Sequence, residues 1–127
     1  MLQKHINTNK EGTMNYTVSD IQSILAEAKA TAYDAAHEHE QKHYPDNGWG
    51  ACGFAWVNIY GIKGNTKLGK AMKAAGIEQD YTRAFSIWNP SKYGTQNVST
   101  LEAGAQAAAE VFRKYGFTKA YAGSRLD

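Results

Sequence analysis

The sequence has a single cysteine, Cys52, two prolines, and no run of 18 apolar residues. One cysteine excludes an internal disulfide and fits a reducing compartment. The lack of a long apolar run excludes a membrane-spanning helix. The opening segment, MLQKHINTNKEGT, is polar and has no apolar core of the kind a secretion signal requires, so a cytoplasmic setting is expected. Strong charge of one sign is also missing. The net charge is +2, with four lysines against seven acids in residues 1–60 and ten basic residues against five acids in residues 61–127. That imbalance falls well short of a polybasic nucleic-acid tail. At 127 residues, 43% of them hydrophobic, the chain has enough apolar surface for one globular domain, expected over residues 14–127 behind a flexible lead-in at 1–13.

Thr17 with Asp20 three residues on spells a capping box, and no Gly or Pro interrupts the chain from there to about His43. Val18, Ile21, Leu25, Ala28, Ala32, Ala35, Ala36, His39 and His43 recur at helical spacing, which predicts a long amphipathic helix. CGFAWVNIY at 52–60 and YTRAFSIW at 81–88 read as strands, with a short helix, NTKLGKAMKAAG, between them. Ser99 and Glu102 form a second capping-box pattern opening a helix that runs to Gly116, and FTKAYAGSRLD supplies a third strand. The expected fold is α+β in the order αβαβαβ, a three-stranded sheet covered by two helices. An α/β arrangement with parallel crossovers is the alternative.

Two motifs invite a catalytic reading. His39-Glu40-Gln41-Lys42-His43 fits H-E-x-x-H, with two histidines one helical turn apart, the spacing that lets both reach one zinc ion. No histidine follows, so a third ligand has to come from a carboxylate or from Cys52. If a metal binds, the set is His39, His43 and Cys52, and a metal-dependent hydrolase is the alternative function. The simpler reading is a helix end, where histidines favour the negative pole of the dipole. Cys52, in GWGACGFAW, reads as a small buried hydrophobe rather than a nucleophile. GNTKLGKA at 64–71 begins as a phosphate loop but has Ala71 where Ser or Thr must hold magnesium, which argues against nucleotide hydrolysis.

Lys63, Lys67, Lys70 and Lys73 nonetheless surround the start of a helix with no acid nearby. Strand alternation places Cys52, Phe54, Trp56, Asn58 and Tyr60 on one face, and Tyr81, Arg83, Phe85, Ile87 and Asn89 on one face of the next strand. Trp56, Asn58, Tyr60 and Arg83 together mix flat rings with hydrogen-bonding groups, the equipment for holding a base or nucleotide. No RNA-recognition signature accompanies them.

GACGFAWVNI and the terminal GSRLD resemble segments of small uncharacterised proteins of tailed bacteriophages of the T4-like and cyanophage type. That resemblance implies a host-cytoplasm setting and a host protein among the conceivable partners; it carries over no activity and no residue role. The reading favoured from sequence is a non-catalytic binding module without cofactor. It uses Trp56, Asn58, Tyr60, Lys63, Lys67, Lys70 and Arg83 for a nucleotide, nucleic acid or protein partner. A homo-oligomer packed through Gly104, Ala105, Ala107, Ala108 and Ala109 is a third possibility.

Overall fold

The computed structural model describes residues 14–44 and 50–127, so the expected lead-in at 1–13 lies outside the described residues. The first helix, α1, runs Val18–His43 and is closed at its start by the expected capping box. Asp20 N–H donates to Thr17 Oγ1 at 3.1 Å and Thr17 N–H to the Asp20 carboxylate at 3.0 Å. Ile21, Ile24, Ala28, Ala32 and Ala36 form its buried stripe, whereas Val18 and His43, expected inside, are exposed at the stripe's ends.

There follow β1 (Gly53–Ile59), α2 (Lys67–Ala74), β2 (Glu78–Gln79), β3 (Phe85–Trp88), α3 (Val98–Lys114) and β4 (Ala120–Leu126). The sheet therefore has four strands, not three, in the order β2-β3-β1-β4. Every neighbouring pair is antiparallel, which overturns the parallel-crossover alternative. Two split β-α-β units interleave: β3 lies between β1 and β2, and β1 lies between β3 and β4. This is the ferredoxin-like arrangement, preceded here by α1.

The extra strand is two polar residues long, too short to show as an alternating pattern. The chain between β2 and β3, expected to be extended, is a turn instead. Asp80 accepts from Thr82 N–H (2.8 Å), Thr82 Oγ1 (2.5 Å) and Ala84 N–H (3.1 Å), and Arg83 adopts the left-handed region at φ 71°. The opening of α3 also differs from expectation. Its cap is Asn97, whose side chain accepts from Ser99 N–H at 3.0 Å, so the helix starts one residue before the S-x-x-E pattern.

α1 and α3 lie antiparallel. Near the start of α1, Tyr16 Oη donates to the Tyr115 carbonyl at 2.7 Å; near its end, His39 Nδ1 meets Thr100 Oγ1 at 3.2 Å. Between them, Tyr115 Oη donates to Glu27 Oε1 at 2.6 Å, beside the Lys114–Glu27 ion pair. That hydrogen bond, then burial, pushes the Tyr115 hydroxyl up to about 12. The approach is close at Gly104, where an added Cβ would lie 3.1 Å from the Ala32 carbonyl of α1 and 2.8 Å from Ser91 Cβ. Gly104, Ala105, Ala108 and Ala109 are all buried, so this small-residue stripe is used inside the domain rather than left free for a second copy.

The inner sheet face, Ala55, Val57, Ile59, Phe85 and Ile87, joins Met72 of α2 and Phe112 of α3 in one core. No helix among the described residues is long and apolar enough to cross a membrane. Gly104→Val should lower unfolding stability by about 1–3 kcal/mol through overpacking. Gly94→Ala, where nothing lies within 4 Å, should leave it unchanged; urea denaturation of both variants checks the pair.

Candidate functional site

Alternation in β1 sorts its residues by size in an unusual direction. The small and aliphatic Gly53, Ala55, Val57 and Ile59 go inward, and Phe54, Trp56, Asn58 and Tyr60 go outward. The register with the neighbouring strands then assembles the outer face. Trp56 pairs with Trp88 and Asn58 with Ser86 on one side; Phe54 pairs with Arg125, Trp56 with Gly123 and Asn58 with Tyr121 on the other.

The two indoles are nearly parallel, 3° apart in plane with centroids at 5.7 Å, and Phe54 abuts Trp88 at 5.5 Å. Arg125 lies over the Phe54 ring at 5.4 Å, within cation–π range. A Cβ at Gly123 would fall 2.5 Å from Trp56 Nε1, so the missing side chain is what lets the Trp56 indole lie across β4. This face is left to solvent: Trp88 is 57% exposed, Tyr121 53% and Tyr60 42%. Contiguous exposed aromatic patches are a common feature of interaction surfaces.

A polar row borders the rings. Tyr60 Oη accepts from Asn58 Nδ2 at 3.2 Å, and the Ser86 hydroxyl sits between Asn58 Oδ1 (2.6 Å) and Asp80 Oδ2 (3.1 Å). Hydrogen bonds to Asp80, led by the Thr82 hydroxyl, hold its carboxyl below the ordinary range and keep it ionised. Trp56, Trp88 and this row line a groove of about 750 Å3, with Glu78, Lys92 and Arg125 also among its walls.

The sequence-derived site is thus divided. Trp56, Asn58 and Tyr60 share the aromatic groove, as expected. Arg83 does not: the turn at Asp80 carries it into a second recess of about 840 Å3, with Tyr60, Lys63, Lys70 and Lys73. Lys67 lines neither and is exposed at the start of α2. Trp88, Ser86, Tyr121 and Arg125 were not foreseen. The signal that could have found Trp88 is cross-strand pairing with Trp56, which requires knowing that the second strand begins at Phe85.

The two histidines of H-E-x-x-H lie against each other, and Glu40 acts on a different neighbour. His39 bonds Thr100 and packs against the His43 ring at 4.6 Å, while His43 is exposed. Glu40 has one buried carboxylate oxygen with no hydrogen-bond partner. Its charge acts on Tyr93, whose hydroxyl pKa is raised by burial first and by Glu40 second; Tyr93 also bonds His37 Nδ1 at 3.0 Å. Cys52 is exposed and outside β1, bridged to Asn97 at the start of α3, not buried as expected. Among the described residues, no three His, Cys, Asp or Glu side chains are grouped to hold a metal ion; Asp46, another candidate third ligand, lies outside them.

No family model, no curated protein and no solved structure matches the chain, so the resemblance to phage proteins rests on its sequence segments alone.

Burial and then the His43 charge lower the His39 pKa, with Glu40 opposing. A His depressed in the folded state contributes stability that is complete above its unfolded value, about 6.5, and is lost as pH falls through the folded value. His39→Gln should therefore lose less thermal stability than the wild type between pH 7.5 and 5. Parallel melting profiles for the two proteins over that range would contradict this assignment.

Proposed function

We propose that this protein is a non-catalytic module that binds single-stranded nucleic acid on the outer face of its sheet. The observation that carries the reading is the parallel pair of the half-buried Trp56 and the exposed Trp88 on the outer face of the two central strands. Bases stack on such rings with little regard to sequence, since every base has a flat face. The adjoining Asn58 and Ser86 are placed to meet base edges, and Arg125 adds a cation at one end of the ring row.

The architecture supports the same reading by analogy. RNA-recognition modules built on a four-stranded sheet with helices behind it stack two or three bases on aromatics of their central strands. The analogy extends to architecture and not to sequence, because the characteristic signatures of those modules are absent from β1 and β3. The ionised Asp80 at the edge of the groove disfavours a phosphate there, which is why bases rather than backbone are assigned to the sheet face.

Each stacked base is worth about 1–3 kcal/mol by alanine substitution, or roughly 5- to 150-fold in affinity. Trp88→Ala should weaken binding of a labelled oligothymidylate or oligouridylate by that factor in fluorescence anisotropy, with circular dichroism showing the variant still folded because the side chain is more than half exposed. Equal affinity of Trp88→Ala and wild type would contradict the reading.

A further inference from the structure

The recess beside the aromatic face is built differently from it. Lys63, Lys70, Lys73 and Arg83 line it together with Tyr60, Gln79, Thr82 and the loop residues 61–65, and none of its lining residues is acidic. Among the described residues the only ion pair joins Lys114 to Glu27, so none of these four cations pairs with a carboxylate of the described residues. Gathering four like charges around one concavity is unfavourable for the isolated protein and favourable for an anion entering it.

Backbone details hold the cations there. The ends of Lys73 and Gln79 rest against Gly64, where an added Cβ would lie 2.7 Å from Lys73 Nζ. Arg83 occupies a left-handed backbone position, φ 71°, that residues with a side chain seldom adopt. It is fixed there by Arg83 N–H donating to the Asp80 carbonyl at 2.9 Å and Gln79 Nε2 donating to the Arg83 carbonyl at 3.0 Å. Tyr60 and Thr82 line both this recess and the aromatic groove, so the two adjoin beyond the end of β1.

We infer that this recess is a phosphate site, which holds the backbone of a nucleic-acid strand as it leaves the tryptophan face past Tyr60. The inference rests on the binding reading above and extends it: bases are held on the sheet, phosphodiesters in the recess, and the strand path follows β1 toward its C-terminal end. Single strands contribute a salt slope of about 0.7 per neutralised phosphate.

The test compares wild type, a Lys70→Ala/Arg83→Gly double variant and Lys42→Ala, reading oligothymidylate affinity against salt concentration. Glycine at 83 removes the guanidinium while suiting the left-handed backbone. Lys42 is exposed in the last turn of α1, at the end of the molecule where β1 begins, roughly 20 Å of strand away from the recess. The double variant should reduce the slope by about 1–1.5, with Lys42→Ala retaining the wild-type slope. An unchanged slope in the double variant, while Trp88→Ala still weakens binding, overturns the phosphate site and leaves the aromatic reading standing. If the wild type binds no oligonucleotide, the aromatic reading falls. Inorganic tripolyphosphate, followed by amide NMR shifts, then decides the recess by itself. Shifts at 61–65, 70, 73 and 83 that vanish in the double variant support the site, and their absence overturns it.

Discussion

The inward turn of the small residues of β1 is the constraint from which the rest of the structure follows. With Ala55, Val57 and Ile59 inside, the sheet offers a low aliphatic surface against which α3 packs, and α1 packs in turn on α3, closely enough at Gly104 that an added Cβ would lie 3.1 Å from the Ala32 carbonyl. The core thus fills without any tryptophan from the sheet. Antiparallel pairing then carries the same parity to both neighbours of β1, so Trp88, Ser86, Tyr121 and Arg125 must join Trp56 and Asn58 on the other side. One strand's alternation settles both the core and the aromatic platform.

The Asp80 turn is the second determinant. A carboxylate that accepts from Thr82, Ala84 and Ser86 ends β2 after two residues and starts β3 at Phe85. It directs Arg83 away from the sheet face, toward Lys63 and Lys70. The same carboxylate anchors the polar row through Ser86 and Asn58, so the separation of a ring-lined groove from a cation-lined recess has one local cause. Tyr60 remains the junction between them.

Much of this was legible in the chain where local chemistry decides structure. The Thr17–Asp20 box, the alanine-rich stripe of α1 and the alternation of β1 each depend on residues a few positions apart, and the outward set of Trp56, Asn58 and Tyr60 followed from it. What depended on partners far along the chain was not legible. A two-residue strand such as β2 exists only because β3 pairs with it. The face taken by Trp88 depends on where the Asp80 turn ends. The exposure of Cys52 and His43 depends on where α1 and β1 terminate relative to α3. The H-E-x-x-H spacing, correct for a metal in isolation, sends His39 to Thr100, leaves His43 exposed and sets the Glu40 charge beside Tyr93 once α3 and the preceding loop are packed against α1.

The central claim is that bases stack on the paired indoles. The most direct test follows the indole Nε1–H resonances of Trp56 and Trp88, assigned by substitution, while an unlabelled single-stranded oligonucleotide is added. Base stacking predicts ring-current shifts of both indole signals that saturate together, with amide shifts concentrated in residues 53–60, 85–88 and 120–126. Indole signals that stay fixed while shifts gather on α1 or α3 would contradict the account, and so would a spectrum that does not respond at all.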